Sequence, residues 1–257
     1  MNRPPFYAPR PTHNPRRFIL PVDGDVCVGA PERQFMMGGV GLGSAIAALE
    51  KATDRPLIWA TAQYLSFAQP GSVVDIDVHI PVAGRNVTQA RVISHVGERE
   101  IITVNAALGA RTNQPLAQFA KMPAAPAPED CEVEPPHHPE MRDLNRRIER
   151  RRVADDASND QGHARMWMRS VDEEPITAGL LAVFADFLAA AIPVTMRSTS
   201  LDNTLRIRCL RPTRWLLLDT RISGLAAGFF HGEMYIFAED GALLATASQS
   251  GVLPRSA

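Results

Sequence analysis

Hydrophobic and polar positions alternate along much of the first half of the chain, and one stretch there has helical spacing instead. The strand-like stretches are residues 57–65, 73–80, 87–95 and 101–108. Alternation with a period of two is typical of strands that bury one face. The helical stretch, residues 38–52, comes first and has a glycine-rich start and an apolar face at Leu42, Ile46 and Leu49. The pattern predicts one helix followed by an antiparallel meander.

The second half repeats this order. An apolar stretch at residues 180–192 predicts a helix, and strand-like stretches follow at residues 200–210, 215–222, 226–237 and 243–249. Pro70 and Pro212 occupy corresponding turns of the two halves. We also expect a strand before each helix, at residues 18–27 and 162–171. The fold class predicted is α+β, with two helix-plus-antiparallel-sheet units in one chain.

Proline density marks the boundary between the two units. Residues 122–130 and 134–140 are too rich in proline for regular structure and predict a semi-rigid spacer. The arginine-rich residues 141–152 that follow predict a short exposed helix or turn; a solvated charged surface is favoured there over a phosphate or RNA site. We therefore divide the chain into an N-terminal unit (1–121), a linker with a basic segment (122–161) and a C-terminal unit (162–257).

Composition narrows the function. The 257 residues contain 27 Lys and Arg against 28 Asp and Glu, so the overall charge gives no reason to expect binding to nucleic acid or to an anionic membrane. The longest apolar stretch is too short to span a membrane, and the N-terminus lacks the apolar core of a secretory signal. Three widely spaced cysteines argue against a disulfide or zinc framework. We expect a cytoplasmic protein that interacts with neither membrane nor nucleic acid.

One carboxylate stands out, because Asp186 lies inside the apolar stretch 180–192. An ionised carboxylate removed from water costs several kcal/mol unless charges or hydrogen-bond donors compensate it. Carboxylates held in this way are often found at sites of chemistry. Ser200 and Gln249 lie on segments that should pack near this helix, and their side chains can donate and accept hydrogen bonds. Taken singly, each of the three is more simply explained as an ordinary polar position.

Other familiar catalytic and cofactor-binding motifs are absent or incomplete. The glycines at positions 39, 41 and 43 lack the GxGxxG spacing, and an antiparallel meander follows them, so a dinucleotide site is disfavoured. The sequence contains no GxSxG elbow, so the motif that would indicate a serine hydrolase is missing. Cys209 has no evident general base and is interpreted as a core residue.

A helix followed by a meander, used twice, is the outline of a double hotdog, and the chain resembles the acyl-CoA thioesterase II family from about Phe18 to Leu253. In the first half the resemblance rests on residues 35–45 (FMMGGVGLGSA) and 64–71 (YLSFAQPG). In the second half it rests on residues 184–187 (FADF), 199–203 (TSLDN) and 247–252 (ASQSGV). The resemblance implies a catalytic role for Asp186, Ser200 and Gln249.

The resemblance also implies a reaction: hydrolysis of a fatty acyl-CoA by a water that these three side chains activate and position. Asp186 would act as general base, and backbone N–H groups at a helix start would polarise the thioester carbonyl. We expect Gly38, Gly39 and Gly41 to bind substrate, because a glycine-rich helix start permits close approach. No metal or other cofactor is required. The expected partners are acyl-CoA and, in a homo-oligomer, further copies of the chain.

The sequence departs from the family pattern in two places. Residues 204–210 replace a bulkier aromatic and basic motif, and Val40 stands where a polar residue is commoner. A non-catalytic acyl-ligand-binding or scaffold protein of the same fold therefore stays as an alternative. A hydratase-type hotdog enzyme is weaker, since none of the seven histidines lies in either predicted helix. Ala107 takes the repeat position of Gln249, so we expect one active site per chain, in the second half.

Overall fold

The computed structural model describes residues 4–136, 138–154, 162–192 and 198–253. Its two α-helices are α1 (Gly38–Thr53) and α2 (Ala178–Ala185). The strands are β1 (Arg10–Pro11), β2 (Arg17–Pro21), β3 (Cys27–Val28), β4 (Phe35–Met36), β5 (Leu57–Tyr64), β6 (Val73–Ala83), β7 (Val87–Val96), β8 (Arg99–Gly109), β9 (Glu132–Val133), β10 (Ile148–Arg152), β11 (His163–Ser170), β12 (Thr199–Ser200), β13 (Asp202–Ile207), β14 (Leu216–Ala226), β15 (Phe229–Ala238) and β16 (Leu243–Val252).

Fourteen of these strands form one antiparallel sheet that contains both predicted units, and β3 and β4 pair with each other in a separate two-stranded sheet. The order of the larger sheet is β1-β2-β6-β7-β8-β5-β13-β16-β15-β14-β11-β10-β9, and β12 pairs with β16. The first unit contributes β2-β6-β7-β8-β5 and the second contributes β11-β14-β15-β16-β13, so the same order recurs outward from the centre. The units join where Thr61 of β5 pairs with Thr204 of β13, and the two hydroxyl oxygens lie 2.6 Å apart. The predicted α+β fold of two helix-plus-antiparallel-sheet units is confirmed.

The two helices lie side by side in the hydrophobic core. All eight residues of α2 are buried, as expected for a helix that is apolar on every face. A β-carbon on Gly39 would lie 2.7 Å from Cβ of Asp186 and 2.9 Å from the carbonyl oxygen of Ala182, so only glycine permits this close approach. The N-terminus of α1 therefore lies against the C-terminus of α2.

The second helix is shorter than the sequence predicts. The apolar stretch 180–192 suggests one continuous helix, but α2 ends at Ala185 and a 3₁₀-helix occupies Asp186–Ala191. The guanidinium of Arg150 lies 5.4 Å above the ring of Phe187 in this turn. The 3₁₀ winding begins at Asp186. The carboxylate of this residue faces the first residues of α1.

The basic segment is a strand and not the exposed helix or turn that the sequence suggests. After a short 3₁₀-helix at Leu144–Arg147, β10 pairs with β11 over five residues. Arg150 is buried, and the guanidinium of Arg151 stacks on Trp215. The arginine cluster wrongly predicts an exposed segment, because arginine can bury its aliphatic stem and stack its planar guanidinium on aromatic rings. The strand predicted at residues 18–27 is also shorter, since β2 ends at Pro21.

The proline-rich linker packs against the second unit. A separate hydrophobic cluster on the outer face of that unit includes Trp167, Trp215 and Phe237, with Met122 and Ala125 of the linker packed against it. The indole N–H of Trp167 donates to the carbonyl oxygen of Pro126 at 3.0 Å. This part of the linker is thus packed on the outer face of the sheet. No helix within the described residues combines the length and apolarity needed to cross a membrane.

Candidate active site

Asp186 is held where the two helix ends meet. It caps α2 at its C-terminus, and its Oδ2 accepts a hydrogen bond of 2.7 Å from the backbone N–H of Gly39 at the start of α1. That N–H belongs to the first turn of a helix and has no carbonyl partner within it, so it is free to bind an anion. A carboxylate from the second unit therefore occupies the positive end of the first unit's helix.

The other two predicted side chains reach the same carboxylate. Gln249 on β16 donates through Nε2 to Oδ1 of Asp186 at 2.7 Å and to Oγ of Ser200 at 2.8 Å. Oγ of Ser200, at the end of β12, lies 3.5 Å from the same Oδ1, which is the long limit for a hydrogen bond. The structure thus brings together three residues that are far apart in sequence.

The predicted glycines take different positions. Gly38 lines the cleft described below, and its missing side chain leaves Oδ2 of Asp186 accessible. Gly39 holds the carboxylate through its N–H. Gly41, also predicted to bind substrate, does not line the cleft; it is buried against the side chains of Ile102 and Met36.

Burial makes Asp186 a weaker acid than usual. It raises the pKa of this carboxyl group from 3.8 to about 6, against the lowering effect of the N–H of Gly39 and the side chains of Gln249, Asn203 and Ser200. Asp186 is therefore mostly ionised at neutral pH while remaining basic enough to take a proton. A base whose pKa lies near the working pH is suited to general-base catalysis.

A cleft of about 790 Å³ opens beside this carboxylate. Both units line it, with Gly38, Tyr64 and Ile102 from the first and Asp186 and Ser200 from the second. Phe35 and Phe67 lie at the cleft with ring centroids 6.1 Å apart. A smaller cleft of about 680 Å³ between Leu180, Phe184 and Arg211 contains none of the predicted site residues.

Sequence reasoning gave no role to two side chains at this site. Asn203 is fully buried, and its side chain lowers the pKa of Asp186. Neither polar atom of its amide makes a hydrogen bond of ordinary geometry within the described residues. Tyr64 ends β5 and lines the cleft. A signal was present for both, since each lies inside a segment that carries the family resemblance. A polar residue in such a segment does not by itself reveal that its side chain points inward.

The equivalent position in the first unit is apolar. The N-cap residues of the two helices are Met37 and Thr177. Ile46 lies as many residues after Met37 as Asp186 lies after Thr177, so Ile46 takes the place of Asp186. Thr61 and Thr204 pair respectively with Asn105 of β8 and Ser248 of β16, so Ala106 takes the place of Gln249. The sequence comparison, which put Ala107 there, is off by one residue. Ile46 and Ala106 are buried and carry no basic group, so the equivalent position in the described part of the first unit lacks the polar side chains of this site.

The arrangement can activate a water molecule. Oε1 of Gln249 is buried without a hydrogen-bond partner among the described residues, because Nε2 makes both of the amide's contacts. Oε1 and the carboxylate of Asp186 are two acceptors that can bind the two protons of one water. No group of three or more His, Cys, Asp or Glu side chains in the described ranges could hold a metal ion.

Comparison with known proteins agrees with the resemblance. A family model for the acyl-CoA thioesterase C-terminal domain matches residues 128–253. Among solved structures, a candidate thioesterase from Novosphingobium aromaticivorans is 30% identical, with a TM-score of 0.90, and the match covers 96% of this chain and 99% of that chain. No curated protein matches the chain.

More distant structures share the fold alone. An acyl-CoA thioesterase II from Mycobacterium marinum is 18% identical, with a TM-score of 0.76 and 98% of each chain covered. The dehydratase domain of RzxB from Pseudomonas fluorescens is 13% identical, with a TM-score of 0.56, over 91% of this chain and 93% of that domain. The double hotdog thus supports different chemistries, so function has to be argued from the site. On the C-terminal family model and the full-length relative together, this chain belongs to the acyl-CoA thioesterase II family and is a thioester hydrolase with a double-hotdog fold.

Proposed function

We propose that the protein hydrolyses fatty acyl-CoA to a free fatty acid and CoA, with Asp186 as general base and Ser200 and Gln249 positioning the water. The observation that carries the proposal is the carboxylate itself. It has a raised pKa, lies beside a cleft and is held at the N-terminus of α1. A carboxylate that served only as a helix cap would not need Gln249 and Ser200 around its other oxygen.

The chemical step follows from these positions. The water, held by Asp186 and Oε1 of Gln249, attacks the thioester carbon while one of its protons passes to Asp186. The electron pair of the carbonyl π bond moves to the carbonyl oxygen and returns as the carbon–sulfur bond breaks. The departing CoA thiolate takes up the proton from Asp186, which restores the carboxylate. Ser200 restrains the amide of Gln249, which donates to its hydroxyl oxygen.

The negative charge on the carbonyl oxygen needs its own donor. The N–H of Gly39 already binds Asp186, so the N–H of Gly38, which also lacks a partner within the helix, is the proposed donor. This role narrows the substrate contacts to Gly38, while Gly39 holds Asp186 and Gly41 packs in the core. The apolar lining at Phe35, Phe67 and Ile102 suits an acyl chain.

The test is release of free CoA from a series of short-, medium- and long-chain acyl-CoA thioesters. Wild type should turn over the fatty substrates, and Ser200→Ala should reduce kcat. Ser250→Ala is the matched control. It makes the same change on β16, next to Gln249 but on the opposite face, where the hydroxyl contacts His231 instead of the carboxylate. Binding of every acyl-CoA without CoA release would contradict the proposal and favour the alternative of an acyl-ligand-binding protein.

We further propose that the reaction serves lipid metabolism and that the chain works as a homo-oligomer. Size-exclusion chromatography with light scattering tests the second statement, since a monomer at assay concentration would contradict it.

A further inference from the structure

The hydroxyl group of Tyr64 is unpaired in the described part of the fold. Its oxygen is buried, and it has no hydrogen-bond partner among the residues that the structure describes. Buried polar groups in native proteins are nearly always paired, so an unpaired one at a cleft indicates a partner that comes from outside the chain. Tyr64 lines the same cleft as Asp186 and Ser200.

The phenol and the carboxylate converge on the start of α1. A β-carbon built on Gly38 would lie 2.9 Å from Cζ of Tyr64 and 3.2 Å from Oδ2 of Asp186. The ring carbon that bears the hydroxyl and the carboxylate oxygen of the base thus both lie beside one backbone position. That position is where the proposed function places the thioester carbonyl.

We infer that Tyr64 is a further catalytic residue: its O–H donates to the thioester carbonyl oxygen and stabilises the negative charge that develops there, together with the N–H of Gly38. The inference rests on the proposed function for the location of the carbonyl. Tyr64 keeps its proton throughout, so the transfer of water's proton to Asp186 and then to the CoA sulfur is unchanged. The substrate carbonyl is the partner that the buried hydroxyl lacks in the free protein.

The electrostatics of Tyr64 fit a donor. Burial raises its pKa well above 10, and the carboxylates of Asp186 and Asp202 raise it further. The phenol therefore stays protonated at neutral pH, where Asp186 is ionised. A donor fixed before the reaction is effective because it needs no rearrangement as charge develops on the carbonyl oxygen.

Tyr64→Phe separates this role from packing. The substitution keeps the ring against Gly38 and removes only an unpaired oxygen, so thermal stability should not fall. If Tyr64 is an oxyanion donor, kcat should fall by about 10²-fold, as is typical when one such donor is lost, with a smaller change in KM. Tyr235→Phe is the matched control: it removes the same group from β15, where Tyr235 stacks on Phe237 and packs with the outer cluster away from the cleft.

A second readout does not depend on turnover. A ketone analogue of acyl-CoA, in which a methylene replaces the sulfur and the carbonyl is ¹³C-labelled, reports hydrogen bonding through its C=O stretching frequency. In Tyr64→Phe the band should shift to higher frequency than in wild type, and in Tyr235→Phe it should not move. If wild type hydrolysed no thioester the proposed function would fail, yet the band would still test Tyr64. An unmoved band, or a kcat within twofold of wild type, overturns the inference.

Discussion

Asp186→Asn tests the central residue with little change in shape. In the wild type the carboxylate accepts hydrogen bonds from Gly39 on one oxygen and from Gln249 on the other. The new amide can accept from Gly39 through its oxygen. Its NH₂ group then faces Gln249, whose amide can turn so that the unpaired Oε1 accepts from it. Every contact therefore has a replacement, and we expect the fold to survive.

The variant should be more stable than wild type at neutral pH. The pKa of Asp186 is about 6 in the folded protein and 3.8 for an ordinary Asp, so the folded state favours the protonated form. The free energy of unfolding of wild type should accordingly fall as pH rises from about 4 to 6. A shift of about two pKa units corresponds to roughly 3 kcal/mol, and the partial exposure of Asp186 makes this an upper bound. The variant lacks this loss, so its advantage should be small at pH 4 and reach about 1–3 kcal/mol above pH 6.

Activity should move in the opposite direction. An amide cannot take a proton from water, so kcat should fall by about 10²–10⁴-fold. Urea unfolding of both proteins at pH 4 and pH 7.5 gives the stability difference, and release of free CoA at pH 7.5 gives the rate. Two results would refute the reasoning: undiminished turnover by the variant, or a stability difference that is the same at both pH values. The second would mean that Asp186 is not a carboxylate with a raised pKa.

Three further predictions concern the surroundings of the carboxylate. In wild type, kcat/KM should decrease about tenfold per pH unit below pH 6, because protonated Asp186 cannot act as a base; a flat profile from pH 5 to 8 would argue for another base. Gln249→Ala should lower kcat by up to about 10²-fold through lost positioning of the water. It should also move the acid limb of the pH profile to higher pH, since Gln249 lowers the pKa of Asp186; an unshifted limb would contradict this contact. Gly39→Ala should destabilise the protein by about 1–3 kcal/mol despite the better helix propensity of alanine, because its methyl group would meet the carbonyl oxygen of Ala182 and Cβ of Asp186. Equal melting temperatures for Gly39→Ala and wild type would show that the helices can separate at no cost.

Much of the fold could be predicted from the sequence because its causes are local. Alternating strands such as β6 and β7 bury every second residue, and that pattern can be recognised without knowing the partner strand. The repeat of one helix and four strands reveals two similar units, and the antiparallel meander follows from short turns between neighbouring strands. Asp186 was conspicuous for the same reason, since its apolar neighbours show locally that the segment is buried.

The errors occurred where long-range contacts override the local pattern. The basic segment became β10 because its backbone pairs with β11 and Arg151 finds an aromatic ring on Trp215. The apolar stretch after α2 winds as a 3₁₀-helix where Asp186 turns toward the first unit. Trp215 and Gly39 lie far from these two segments in sequence, so neither contact could be inferred from composition or periodicity.

The sequence by itself determined two repeated units, one exceptional carboxylate and the two polar residues that accompany it. Only the tertiary structure decided that these residues meet at the N-terminus of the other unit's helix, that Gly39 binds the carboxylate, and that Tyr64 faces the same cleft. The physical reason is that this site lies between the units. Its distances depend on how β5 joins β13 and how closely α1 approaches α2, and both are set by packing across the whole core.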